Sequence, residues 1–124
     1  MRRHLFAYGT LQHPRILGRI LNRIPQAASA TLPGFARFCI KNEDFPGIIQ
    51  DAGTQIDGTV FFDITHKEWV QLDAYESDLY VRQTLWITCA DGIRLQAETY
   101  VIPPANEKHL TREPWELGLY DPEE

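Results

Sequence analysis

Leu72-Asp73-Ala74-Tyr75-Glu76-Ser77-Asp78-Leu79-Tyr80-Val81-Arg82 is where the hydrophobic period of this chain changes from helical to extended. Just upstream, Thr65 and Glu68 form a capping box, in which a hydroxyl and a carboxylate satisfy the free N–H groups at a helix start. The helix they open carries Trp69, Val70 and Leu72 and is expected to end near Tyr75. Downstream, strands are expected over 80–89 and 94–102, linked by Ala90-Asp91-Gly92, a good hairpin turn. A helix that yields to a strand this abruptly can push a carboxylate into a cleft.

Toward the N-terminus, Thr59-Val60-Phe61-Phe62-Asp63-Ile64 reads as a strand preceded by Asp57-Gly58. Asn42 to Pro46 is a polar loop closing in Phe45-Pro46-Gly47-Ile48-Ile49, and Ala28 to Ile40 reads as extended, broken at Pro33-Gly34. Pro14 suits a first helical turn. Ile16, Leu17, Ile20, Leu21 and Ile24 follow at helical spacing, with Arg15, Arg19 and Arg23 opposite, and Pro25 is expected to stop that helix. Residues 3–8 form a first strand that Gly9 ends. Pro103-Pro104 breaks the last long strand, and the tail holds a short segment around Trp115 and Leu119. With no repeat or linker, residues 1–124 form a single domain. Strands dominate beside two helices, so the class is α+β, with a mainly antiparallel sheet that curls toward a barrel.

The bulk composition narrows the function. The chain is 44% hydrophobic and 23% charged, as a globular domain should be. A net charge of -5, with basic residues scattered apart from Arg2-Arg3, argues against a nucleic-acid partner. No apolar run approaches the roughly 20 residues of a membrane span. The start lacks the apolar stretch of a signal peptide, so a cytoplasmic protein is expected. Cys39 and Cys89 lie in apolar, strand-like segments and read as buried free thiols. Neither belongs to a CxxC pair, and His4, His13, His66 and His109 have no metal spacing.

Glu76 has two readings. At the carbonyl end of a helix and against Tyr75, Leu79 and Tyr80, its carboxyl pKa is raised toward neutrality, where an acid–base catalyst works best. Equally, it is a solvated residue of a connecting loop, the commoner case. Asp73, in the last helical turn, is expected to point elsewhere, and Asp78 reads as a turn residue. Tyr8-Gly9-Thr10-Leu11 can present several N–H groups to a carboxylate or an oxyanion, or is an ordinary turn. It matches neither the phosphate loop nor the dinucleotide fingerprint. Pro46-Gly47 lines a pocket or simply turns the chain, and Arg82 holds a substrate carboxylate or pairs with an acid on the surface. Tyr80 and Tyr100 close a pocket with their hydroxyls or belong to the core. No Ser or Cys occupies a GxSxG elbow, which leaves covalent catalysis without support.

Taken in order, Tyr8–Leu11, Phe45–Ile48, Gly58–Phe61, Leu72–Glu76 with Tyr80 and Arg82, and Ala97–Val101 resemble the γ-glutamylcyclotransferase-like superfamily. The resemblance is to its γ-glutamylamine cyclotransferase branch, which includes the plant avirulence-induced-gene-like proteins. It implies a small mixed barrel flanked by helices, with a pocket at one end. It also implies a γ-glutamyl small-molecule substrate, release of 5-oxoproline and a free amine or amino acid, no metal or cofactor, and a monomer. Glu76 matches the essential acid of the family's LDxYE segment, and Tyr8–Leu11 matches the turn that takes the α-carboxylate region. Tyr80 matches the tyrosine of E-x-x-x-Y-x-R. The family often has Gly after the Glu; here it is Ser77, a change that bears on loop shape and substrate preference. Two other readings fit the same scaffold: binding of a small ligand or protein without turnover, and action on a specialised γ-glutamyl amide. The segment from Pro103 to Tyr120 is expected to shape the outer pocket.

Overall fold

Arg3–Ala7 (β1) buries Leu5, Phe6 and Ala7, so both its faces are covered, and the two halves of the core meet on it. A computed structural model describes residues 3–115. The other strands are Ala27–Ile40 (β2), Pro46–Ile64 (β3), Val81–Cys89 (β4), Arg94–Val101 (β5) and Leu110–Pro114 (β6). Two helices, Pro14–Leu21 (α1) and His66–Glu76 (α2), accompany them. The strands run β3-β1-β5-β4-β2, and β2 pairs again with β3, closing a barrel; β6 lies on β2 outside the ring. All pairings are antiparallel except β1 with β5. The result is the small mixed, mainly antiparallel barrel with flanking helices that the sequence suggests.

The core has two layers. Phe6, Leu32, Ile48, Val60 and Ile87 fill the barrel. Leu5, Leu17, Phe61, Trp69 and Leu72 pack the helices onto its outside. Full burial of side chains like these stabilises by roughly 1.5–3 kcal/mol each. Gly58 lets two strands approach, since a Cβ there would lie 2.5 Å from the Ala7 carbonyl oxygen.

Several expectations are corrected. The first strand ends at Ala7, one residue early. α1 stops at Leu21, where Asn22 turns left-handed at φ 60, so Pro25 does not end it; Ile24 lies beyond the helix and is exposed. Pro33-Gly34 is no break: β2 continues, with an irregularity against β3 where Gly34 takes φ 82. β3 begins at Pro46 rather than Thr59, because its first half pairs with Phe35–Cys39 of β2. β6 is an unexpected strand; it ends before the segment expected around Trp115 and Leu119, which lies outside the described residues from position 116 on. Cys89 is buried as expected, whereas Cys39 is half-buried; both are free thiols. His13 caps α1, its ring nitrogen accepting from the Arg15 N–H, and the His4 ring accepts from the Asp63 N–H at 3.1 Å.

Candidate active site

α2 is fixed at its start, which sets where its end lies. The capping box forms as read, with the Glu68 N–H donating to the Thr65 hydroxyl at 3.2 Å and the Thr65 N–H to the Glu68 carboxylate at 3.0 Å. Arg23 adds a bidentate clamp on Glu68, at 2.6 and 2.7 Å, and reaches the Asp63 carbonyl. That clamp first, with the Thr65 bonds, leaves the Glu68 carboxyl below its ordinary range against the opposing effect of burial.

At the other end, Glu76 is the last helical residue rather than one beyond it. Ser77 follows with φ 63 and ψ -165, a backbone region almost reserved for glycine. This reversal takes the chain off the helix axis and leaves the Glu76 carboxylate on the wall of a cavity of about 270 Å³. The cavity is also lined by Tyr8, Gly9, Thr10, Pro46, Tyr80 and Tyr100, so residues 92 positions apart share one space. Leu11 lines it too.

The Glu76 carboxyl is pushed up to about 7 by burial. Among the described residues, no Lys or Arg forms an ion pair with it. The phenols around it are held neutral: burial first, and Glu76 among the lesser causes, raise Tyr8, Tyr80 and Tyr100. Each phenol proton is already committed. Tyr8 donates to the Tyr100 carbonyl at 2.6 Å, Tyr80 to the Pro46 carbonyl at 2.7 Å, and Tyr100 to Asp73 at 2.8 Å. The phenol oxygens therefore offer the cavity lone pairs rather than protons.

The glycine turn faces this group. Thr10–Gln12 forms a single 3-10 turn whose first internal bond runs from the Gln12 N–H to the Gly9 carbonyl at 3.1 Å. The N–H groups of Gly9, Thr10 and Leu11 precede it, so the turn itself gives them no acceptor. Gly9 has no room for a side chain: a Cβ would lie 2.7 Å from the Pro46 ring.

Other sequence candidates sit differently. Gly47 is behind the wall, packed against Ile102 and Leu110, and Phe45 lines the cavity beside Pro46 instead. Arg82 borders an adjoining open cleft. It lies 3.2 Å from Glu98, 3.3 Å from Asp73 and 4.5 Å from the centre of the Trp69 ring. Asp73 does not point away from the site, since it holds Tyr100 and Arg82. No described residue from Pro103 on lines the cavity. Asn106 instead props the wall by donating to the Asp78 and Leu79 carbonyls.

Sequence reasoning missed Glu98, almost fully buried between Arg3 and Arg82. A lone acid in the run Ala97–Val101, the less polar end of that strand, was the available signal. It also missed Arg37, whose guanidinium donates to the Tyr8 carbonyl at 2.7 Å. No helix of the described residues is long and apolar enough to cross a membrane, and they hold no His, Cys, Asp and Glu cluster suited to a metal.

Comparison with known proteins gives the family and the fold. The profile of the family described as "Gamma-glutamyl cyclotransferase, AIG2-like" matches residues 5–121. AIG2-like protein D of Arabidopsis thaliana is 41% identical over 122 residues, covering 97% of this chain and 76% of its own length. Of AIG2-like protein C from the same plant, this chain spans 57%. An Arabidopsis thaliana protein solved in solution is 34% identical with TM-score 0.76, covering 82% of this chain and 69% of that one. A structure described as a gamma-glutamyl cyclotransferase, 21% identical, shares the fold with TM-score 0.65 over 83% of this chain and 68% of its own.

Proposed function

Because this chain belongs to the gamma-glutamyl cyclotransferase, AIG2-like family, we propose that it cyclises a γ-glutamyl compound to 5-oxoproline and frees the attached amine or amino acid. The observation that carries this reading is a carboxyl near neutrality, Glu76, sharing one cavity with the Tyr8–Leu11 turn.

The substrate's α-carboxylate lies against the N–H groups of the turn. Ionised Glu76 takes a proton from the α-ammonium group. The freed amine attacks the γ-carbonyl carbon and closes a five-membered ring. Protonated Glu76 then passes its proton to the departing nitrogen as the amide C–N bond breaks. The regenerated carboxylate relays the ring nitrogen's surplus proton to the freed amine, which leaves as an ammonium ion. A carboxyl near 7 suits both transfers, since base and acid forms are each accessible at neutral pH. Nucleophile and electrophile belong to one molecule, so holding it folded supplies much of the rate. Tyr80 and Tyr100 bound the space in which the chain folds. Their oxygens suit the ammonium, which needs acceptors. Arg82 acts through Asp73 and Tyr100 on this reading. Free thiols fit a cytoplasmic setting, and the protein works as a monomer.

The test is 5-oxoproline release from a panel of γ-glutamyl amines and dipeptides, with the Glu76→Gln variant run in parallel. We expect the variant to lose roughly 10²–10⁴-fold in kcat. Full turnover by the variant would sink the role of Glu76. Ligand binding with no release by the wild type would favour a binding protein.

A further inference from the structure

We infer that Arg37 is a positioning residue, which aims the Gly9 N–H into the cavity by holding the carbonyl on the other side of the same peptide. The inference rests on the reading of the Tyr8–Leu11 turn as the carboxylate site.

Arg37 stands on β2, half-buried, 29 residues from the turn it touches. One guanidinium nitrogen donates to the Tyr8 carbonyl at 2.7 Å and to the Asp57 carbonyl at 3.0 Å. The Trp115 ring backs the guanidinium at 5.7 Å. The side chain is thus held from several directions, and its position is set by β2 and β3 rather than by the turn.

A peptide unit is planar, and the chain contains no cis bond among its described residues. The Tyr8 carbonyl and the Gly9 N–H therefore point in opposite directions. The carbonyl points toward an open polar cleft lined by Arg37, Asp57, Gly58 and Thr59. Gly9 itself lines the cavity together with Glu76 and Tyr80. Glycine is the residue that leaves such a unit freest to rotate, so a restraint on its carbonyl is what fixes its N–H. The Gly9 α-carbon cannot move forward either, because the Pro46 ring abuts it. A cation on the carbonyl oxygen also draws electron density from the peptide, which strengthens the N–H as a donor.

The test uses the full chain, isotope-labelled, titrated with 5-oxoproline and with 2-pyrrolidinone, the same ring without a carboxylate. In the wild type the Gly9 amide proton should move downfield with 5-oxoproline. Arg37→Met should weaken 5-oxoproline binding about tenfold, the loss expected for one hydrogen bond to a charged group, and leave 2-pyrrolidinone binding unchanged. Arg37→Lys should recover part of that loss. Unshifted Val60 and Ile87 amides would report an intact barrel. Should the Met variant not fold, the Lys variant carries the same comparison, with a smaller loss confined to 5-oxoproline. Equal affinities in wild type and variants, an equal loss for both rings, or a still Gly9 amide in the wild type would each overturn the inference. Catalysis is read separately. A responsive Gly9 amide without release of 5-oxoproline removes the cyclotransferase reading alone, and release with unaltered affinity in Arg37→Met removes the positioning role alone.

Discussion

At Glu76 the folded protein keeps a proton that the unfolded chain gives up. Burial raises this carboxyl from 4.5 to about 7, so between those values the folded state binds more protons than the unfolded one. Stability therefore falls as pH rises from about 4.5 to about 7 and is level above. Glu76→Gln removes the ionisation and should be more stable than wild type above pH 7, by up to about 3 kcal/mol, with no advantage at pH 4. Urea melts at both pH values check this, and a constant difference would contradict the burial argument. Turnover should rise through pH 7 as the carboxylate forms. Next to it, Ser77 occupies a conformation that costs a non-glycine residue about 1–3 kcal/mol. Ser77→Gly should raise the unfolding free energy by about 1 kcal/mol, less than the full strain because glycine also gains freedom in the unfolded chain. Glu76 was legible in the sequence because helix end, aromatic neighbours and carboxylate are adjacent. The φ of Ser77 and the reach of Arg37 were not, since both depend on residues far along the chain.

Among the elements, α2 behaves as a pointer clamped at its base. Thr65→Ala should cost about 1 kcal/mol, measurable by denaturant titration, by leaving helical N–H groups unpaired. Glu68 works with the opposite pH sense to Glu76. Its carboxyl is lowered, chiefly by Arg23, so its contribution is complete above the ordinary 4.5 and disappears as pH falls through the lower folded value. Local signals made this helix readable, and Asp91-Gly92 did the same for the β4–β5 hairpin, where Gly92 takes φ 87. The first half of β3 carries no such signal. Residues 50–55 are exposed and show no alternation; Gln50 and Gln55 pair with Phe35 and Pro33 of β2, and 51–54 lie in the irregularity between them, where Gly53 takes φ 89. β6 is hidden for the same reason, being a short edge strand that depends on Phe38 and Ile40. Gly47 read as pocket lining or as a plain turn, whereas it lies against Ile102, which leaves no room for a side chain there.

For the whole molecule, sedimentation should give one species near 14.3 kDa, and a dimer at micromolar concentration would contradict the monomer reading. The ring of strands is also uneven around its circumference. β2 and β3 share register from Ala27 to Cys39, and β4 and β5 from Val81 to Thr88. Yet among the described residues the backbone ladder joins β4 to β2 only at Ala30 and Thr31, and β5 to β1 only at Leu5. These are two thin seams, and breathing of the β4–β5 hairpin should begin there. The Tyr8–Tyr100 bond crosses one of them, and the cavity is bounded by residues from both sides. A ligand seated there acts as a rivet. At a hundredfold excess over its Kd it should add about 2.7 kcal/mol to stability. Amide exchange should slow most at Leu5 and Glu98, and uniform slowing across the barrel would show that the seam does not open first.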